Sequence, residues 1–192
     1  MLRLSSIVLA LLLAMPALGI SSTKFPASVV NTDVGDSNAW TNPGDAATSN
    51  DTRASRAATG ANDSDALDAT DFSFAVPGGA VITGITCITE ARRDDSKSGW
   101  IEDVFIIKGG SAQAQDNADT TPTPVGSDTS VEHPSGGTLW GVGWTAADIN
   151  ASNFGCRVIA HIESGAPATN MLVDSISIKV DYSLSGGAAI WF

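Results

Sequence analysis

Alternation of apolar and polar residues with a period of two is the feature that most constrains how this chain folds. In residues 172–184, Ile176, Ile178 and Val180 alternate with polar side chains, and residues 81–91, 100–108 and 153–163 repeat the pattern between Gly, Pro and Asp clusters. Successive side chains of a strand point to opposite faces, so half-polar strands indicate antiparallel sheets with one wet face. Several such strands in one chain predict a β-sandwich or a barrel.

Composition excludes two other classes of protein. The chain has 192 residues, enough for one domain, and only 16% of them are charged. Small polar and β-branched residues dominate, which disfavours an all-helical fold. Acids outnumber bases 21 to 10, for a formal charge of -11. A net-negative surface repels phosphates, so we expect no nucleic-acid partner.

The N-terminus has the three-part layout of a secretory signal peptide. Arg3 precedes the apolar residues 7–15, which are followed by Pro16 and a small-residue site ending at Gly19. We therefore predict a signal peptide at 1–19, a secreted domain at 20–184 and an apolar tail at 185–192. An uncleaved anchor is the alternative. The apolar run is shorter than the roughly 20 residues of a membrane span, and no other stretch approaches that length.

Two long polar stretches, residues 41–70 and 109–137, lack the alternation and are predicted to be binding, assembly or disordered loops. The only helical signal is Thr145–Ile149, where Thr145 and Asp148 have the spacing of a capping box. We expect a single helical turn there.

Three sequence segments resemble those of a known protein family: LDATDFSFAVPGGAVITGI at 67–85, VFIIKGG at 104–110 and LWGVGWTAADINASNFG at 139–155. Their order and spacing resemble an uncharacterised β-sandwich module of phage structural proteins and bacterial surface proteins. The resemblance covers residues 29–183 and implies a jelly-roll-like antiparallel β-sandwich with a structural or adhesive role and no catalytic residues. This chain differs in its two cysteines, which replace aliphatic residues, and in its C-terminal tail.

The sequence gives only weak signals for catalytic residues, so we expect that this chain is not an enzyme. Ser37 follows Gly35-Asp36 as in an esterase nucleophile block, but neither His133 nor His161 has the Asp three residues before it that such a triad requires. Glu90 could face Glu102 and Asp103 across neighbouring strands as a glycosidase pair, although solvated strand-face acids explain them better. His161 is expected to point outward.

Ligand sites are suggested by acidic turns and by tryptophans. Calcium takes six to eight oxygen ligands, and Asp63, Asp65 and Asp68 lie in an Asp-rich region, so calcium is the one candidate cofactor, with solvated turns as the alternative. Trp40 and Trp100 border polar loops and are candidates for a glycan-stacking face. Trp140 and Trp144 are expected to pack in the core or at a corner.

The two cysteines are predicted to form a disulfide. Alternation places Cys87 with Ile85 and Cys156 with Phe154 on apolar faces, so both point into one core. Export to an oxidising compartment would let the thiols pair. Two buried free thiols are the alternative.

The C-terminal tail ends in the apolar residues Ile190, Trp191 and Phe192, joined to the domain by Gly186-Gly187. We expect them to contact another subunit or a surface, with folding back onto the sandwich as the alternative. Residues 21–30 are a second candidate for a donated strand. The leading prediction is a non-catalytic structural or adhesive protein that self-assembles or binds other surface or virion proteins. A carbohydrate-binding module comes next, and a secreted hydrolase is less favoured.

Overall fold

The computed structural model describes residues 18–35, 38–58, 62–94, 98–163 and 169–184. Eleven strands form two antiparallel sheets within these ranges. The first sheet contains β1 (Leu18–Lys24), β3 (Ala54–Ala58), β6 (Val81–Arg93), β9 (Thr129–Thr138) and β11 (Thr169–Leu184). The second contains β2 (Ser28–Thr32), β4 (Asn62–Asp63), β5 (Ala66–Thr70), β7 (Gly99–Lys108), β8 (Ser111–Asp116) and β10 (Gly155–Ile162).

The order of the strands is that of a jelly roll. Strands β3, β11, β6 and β9 lie side by side in the first sheet, and β5, β10, β7 and β8 lie side by side in the second. Except for the hairpin of β7 and β8, neighbours in these two sets are distant in the chain, because the chain crosses repeatedly from one sheet to the other. Two interleaved four-strand sets of this kind define the eight-strand jelly roll. The predicted all-β sandwich is confirmed.

The core lies between the two sheets and follows the alternation in the sequence. Ile176, Ile178 and Val180 of β11 are fully buried. Phe154 lies just before β10 and packs with its ring centroid 6.3 Å from Phe72 and 6.0 Å from Phe74. Burying an aliphatic or aromatic side chain of this size contributes about 1.5–3 kcal/mol.

The prediction of long loops at 41–70 and 109–137 is wrong in part. The first stretch contains a 3-10 helix at Pro43–Ala46 and strands β3, β4 and β5, and the second contains β8 and β9. These strands are rich in small polar residues and lack a strong apolar period. They form because the strongly patterned strands β6, β7, β10 and β11 offer free backbone groups beside them.

The predicted helical turn is confirmed as α1 (Ala146–Asn150). Thr145 is its N-cap: the Thr145 hydroxyl accepts from the backbone of Asp148, and the Asp148 carboxylate accepts from the backbone of Thr145. Trp140 lies before this turn, is buried, and donates its indole N–H to the carbonyl of Ile85 at 3.0 Å. The expected packing of Trp140 in the core or at a corner is therefore confirmed.

The sandwich has two distinct ends. At the first, Leu18 pairs with Leu184, and Val81 begins the strand beside them; we call this end the base. At the other, Arg93 ends β6 and Gly99 begins β7; we call it the tip. The 13 residues of β6 separate the two ends by about 40 Å. Strand β1 begins at Leu18, so the expected cleavage after Gly19 would remove two of its paired residues.

Candidate functional site

An aromatic pair lies on the outward face of the second sheet, at the tip. Trp100 of β7 is opposite His161 of β10, and His161 is opposite Asp63 of β4. Ile101 and Ile162, which follow Trp100 and His161 in their strands, are buried in the core. Because side chains alternate along a strand, Trp100, His161 and the cross-strand Asp63 lie on the opposite, outward face. The outward position predicted for His161 is confirmed.

Two carboxylates hold the aromatic pair in place. The rings of Trp100 and His161 are stacked with centroids 4.7 Å apart and planes inclined by 27°. Nδ1 of His161 lies 2.5 Å from Oδ1 of Asp63, and the indole N–H of Trp100 donates to the carboxylate of Glu102. Both rings are half-buried. Their orientation is therefore fixed before any ligand arrives, which lowers the entropic cost of stacking on them.

The surroundings of the pair are acidic. Ile159 pairs with Asp103 and Ala160 with Ile101, which leaves Glu102 as the extra residue of a β-bulge. Burial raises the pKa of Asp103, and the charges of Asp116, Glu102 and Asp63 raise it further. Carboxylates accept hydrogen bonds and repel anions. The site therefore suits a neutral or cationic ligand that stacks on an aromatic ring and donates hydrogen bonds.

Trp40 does not belong to this surface, and the expectation that it forms a ligand face is wrong. Its side chain is 4% exposed. The indole N–H donates to the carbonyl of Asp65 at 2.8 Å, and the Trp40 backbone N–H donates to the side chain of Asn31 at 2.8 Å. The polar neighbours that suggested an exposed loop instead satisfy the backbone and the indole N–H of a buried ring.

The three calcium candidates have three separate partners. Asp63 binds His161 as described, and Asp65 is buried and accepts from the side chain of Asn31 at 2.8 Å. Asp68 accepts two hydrogen bonds from Arg157, each of 2.7 Å. Within the described residues, no group of three or more His, Cys, Asp or Glu side chains could hold a metal ion. The structure thus does not bring the three carboxylates together, and calcium binding stays a prediction.

The predicted arrangement of catalytic acids, with Glu90 facing Glu102 and Asp103, is wrong. Glu90 is on β6 of the first sheet, whereas Glu102 and Asp103 are on β7 of the second, so they do not face one another across neighbouring strands. Ser37 lies outside the described residues. Neither hydrolase alternative gains support from the described geometry.

Cys87 of β6 and Cys156 of β10 are fully buried where the two sheets face each other. They are near one another as free thiols, beyond disulfide-bonding distance. Burial raises the pKa of Cys156 well above its usual range, and the hydrogen bond with Cys87 raises it further. The predicted shared core position is confirmed, and the disulfide stays a prediction.

Sequence reasoning missed one feature of the tip. A cavity of about 80 Å³ opens between the sheets there, and the fully buried His133 lies at its wall. The available signal was the alternation of Val131, Glu132 and His133. It was overlooked because the flanking residues are polar and suggested a loop.

The base carries the two most exposed large apolar side chains of the described residues. Leu18 is 64% exposed and Val81 is 57% exposed. The tail residues Ile190, Trp191 and Phe192, which continue from this end, lie outside the described residues. No helix in the described part of the chain has both the length and the apolar character needed to cross a membrane.

The fold and the site define a jelly-roll β-sandwich with an aromatic, acid-lined tip. No protein-family model, curated protein or solved structure matches the chain significantly.

Proposed function

We propose that this chain is a secreted, non-catalytic structural or adhesive module, displayed on a cell surface, an extracellular filament or a virus particle and attached through its base. The observation that carries the proposal is the pairing of Leu18 with Leu184. This pairing makes the apolar N-terminal segment and the apolar tail join the same end of the sandwich. An attachment at that end would present the tip outward.

The chemistry of the base supports attachment. In the first sheet, the strand ends that meet there, residues 18–20, 81–83 and 182–184, contain no charged residue, in a chain with a formal charge of -11. The second sheet contributes Lys108, which is paired with Asp148 of α1. Exposed apolar patches of this kind mark interaction sites on soluble domains. The tail would add Ile190, Trp191 and Phe192 to this surface. The partners would be other copies of the chain or other surface or virion proteins.

The resemblance of residues 67–85, 104–110 and 139–155 to modules of phage and bacterial surface proteins supports the same context. In an oxidising compartment, we expect Cys87 and Cys156 to form a disulfide that joins the two sheets. A small adjustment of the backbone would be needed, because disulfide geometry requires Cα atoms within about 7 Å.

The test compares the purified secreted protein with a variant truncated after Ser185, by size-exclusion chromatography and negative-stain microscopy. We expect the full chain to form oligomers or filaments and the truncated chain to lose them with little change in melting temperature. If the truncated chain keeps its assembly state and its attachment and loses only thermal stability, the tail packs within its own subunit and the assembly role is wrong.

A matched pair of valines tests the base itself. Val81 at the base and Val125 at the tip are both strongly exposed, at 57% and 49%. Val81→Ser is expected to weaken assembly, whereas Val125→Ser is expected to leave it unchanged. Equal effects of the two substitutions would mean that the base has no special role.

A carbohydrate-binding module is the second candidate, and the stacked Trp100–His161 pair is the observation that favours it. Sugar rings present C–H faces that stack on indole, and their hydroxyl groups donate hydrogen bonds to carboxylates such as those of Asp63 and Glu102. The acidic surroundings favour neutral or amino sugars over sialic or uronic acids.

Glycan-array binding and pull-down on insoluble polysaccharides test this second candidate. Trp100→Ala should abolish binding, whereas Trp144→Ala should preserve it. Trp144 is the suitable control because it is also half-buried and packs edge-on against Phe154, with ring centroids 5.5 Å apart. Binding that survives Trp100→Ala, or no binding by the native protein, excludes the carbohydrate site.

A further inference from the structure

A segment at the tip closes the open edge of the sandwich. We call residues 117–126, between β8 and β9, the edge strap. It is anchored to both sheets: the N–H of Thr123 donates to the carbonyl of Gly99 on β7, and the N–H of Arg93 on β6 donates to the carbonyl of Pro124, each at 2.8 Å. The strap therefore spans the gap between the first and the second sheet.

The edge strap covers the cavity of about 80 Å³ noted above. The walls of the cavity are mostly apolar. The apolar part comes from both sheets and from the strap (Ala91, Ile101, Pro122, Pro124 and Val131), and threonines, Asp119 and His133 complete the lining. Release of the strap would expose this apolar surface to water.

His133 holds the first half of the strap. The backbone N–H of Asp119 donates to Nδ1 of His133 at 2.9 Å, and Nε2 lies 2.9 Å from the hydroxyl of Thr89. A backbone amide can only donate, so Nδ1 must be unprotonated and the ring proton must be on Nε2, donated to Thr89. The contact with Asp119 therefore requires the neutral imidazole, whereas the contact with Thr89 survives protonation.

We propose that the His133–Asp119 contact is an acid-sensitive lock, in which protonation of Nδ1 releases the first half of the edge strap and opens the cavity beneath it. A proton on Nδ1 removes the acceptor that the Asp119 N–H uses and places two N–H groups against each other. The second half of the strap stays attached through Arg93 and Gly99.

Burial of His133, opposed by nearby carboxylates, sets the pH at which the lock acts. Burial lowers the pKa of His133 to about 4, although the carboxylates of Asp119 and Asp116 act in the opposite direction. β6 presents the uncharged Thr89 and Ala91, with Arg93 at its end, and β7 presents Ile101. On β9, the neighbouring Glu132 is bound to Lys179 at 2.7 Å on the outer face.

The size of the effect follows from the two protonation states. An imidazole freed into water has a pKa of about 6.5, so between pH 6.5 and 4 the open state takes up a proton that the closed state does not. The equilibrium constant for strap opening therefore rises about tenfold per pH unit in this range, and about 300-fold in total.

Amide hydrogen exchange measured by NMR on the native protein tests the proposal directly. The protection factor of the Asp119 amide, corrected for intrinsic exchange, is expected to fall about tenfold per pH unit between pH 6.5 and 4 and to stay well below that of Ile178 in β11, which exchanges only through global unfolding. Fluorescence of a hydrophobic dye should rise in parallel. A pH-independent Asp119 protection factor, or one equal to that of Ile178 at each pH, would overturn the proposal, because Asp119 would then be exposed only by global unfolding.

Three variants separate the lock from other acid effects. His133→Asn keeps an acceptor near the Nδ1 position without a titrating group, and it should make protection of Asp119 independent of pH. His161→Asn removes the half-exposed histidine and should change nothing at the strap. Asp119→Asn tests whether the Asp119 carboxylate, which accepts from the Thr121 N–H at 3.0 Å, is the titrating group instead. If only Asp119→Asn removes the pH dependence, His133 is not the lock.

Discussion

Leu18 and Leu184 are paired in register at the first position of the antiparallel ladder between β1 and β11. This pairing puts the first and last described residues of the chain at the base of the sandwich, whereas Trp100, His161 and Glu102 lie at the tip. The two ends therefore differ: the base exposes Leu18 and Val81, and the tip carries the Trp100–His161 pair beside Asp63 and Glu102.

The pairing leads to a prediction about the N-terminus. A chain that begins at Ile20 loses only Leu18 and Gly19 from the described strand, and both are exposed. We expect its free energy of unfolding to lie within about 0.5 kcal/mol of that of a chain beginning at Leu18, as for other exposed positions. Urea unfolding of the two chains, followed by tryptophan fluorescence, measures the difference. If the free energy of unfolding falls by about 2 kcal/mol or more, Leu18 and Gly19 are part of the folded domain.

The disulfide prediction concerns Cys87 and Cys156. Closing a loop of about 70 residues corresponds to about 4 kcal/mol of stabilisation in the chain-entropy model. Denaturing alkylation with and without reductant, read by intact mass, should find no alkylated cysteine until reductant is added. Two alkylated cysteines in the unreduced secreted protein would show that the thiols stay free, as they are in the structure.

Loss of the bidentate contact between Arg157 and Asp68 should be costly. Arg157→Met keeps most of the side-chain volume and leaves the carboxylate of Asp68, whose side chain is 14% exposed, without its guanidinium. We expect a loss of about 1–3 kcal/mol in the free energy of unfolding. The double variant Arg157→Met/Asp68→Asn should recover part of that loss, because no unpaired charge remains. Equal stability of the single and double variants would contradict the role given to the charge.

Global stability should fall in mild acid because of His133. Its pKa is lowered to about 4 in the folded protein, against about 6.5 for an imidazole in water, so the unfolded chain binds more protons between these limits. The contribution of the neutral imidazole is complete above pH 6.5 and is lost as the pH falls toward 4. The loss is on the order of 3 kcal/mol, at 1.36 kcal/mol per pKa unit. Urea unfolding at pH 7, 5.5 and 4 measures it, and the same loss in His133→Asn would assign the effect to another group.

Calcium is expected to have little effect on stability. Since Asp63, Asp65 and Asp68 are each bound to a different partner, millimolar calcium should shift the melting temperature by less than about 1 °C, because an ion that does not bind the native state adds no stability. A larger shift that disappears in Asp65→Asn would restore the predicted site. A shift that survives Asp65→Asn would place any bound ion elsewhere.

Local patterns were enough to predict several elements. β10 and β11 carry their own alternation, so their inward faces could be read from the sequence, and Cys156 was placed in the core correctly. The capping box of α1 was also readable, because Thr145 and Asp148 satisfy each other within four residues. The N-terminal boundary was less well defined, because β1 extends to Leu18 on the strength of its pairing with β11.

Long-range pairing decided the rest. β3 and β8 have no strong apolar period and exist because β11 and β7 offer them backbone partners. Trp40 is buried because Asn31 and the carbonyl of Asp65 meet its polar groups. No local pattern reports such partners.

The sequence by itself thus determined the class of fold and the faces of the strongly patterned strands. Only the tertiary structure decided which strands are neighbours, that Glu90 and Glu102 lie on different sheets, and that Trp100 meets His161 at the tip. The physical reason is the separation along the chain over which each interaction acts. Alternation acts between residues two apart, whereas a site is made by backbone pairing and packing between residues that are distant in the chain.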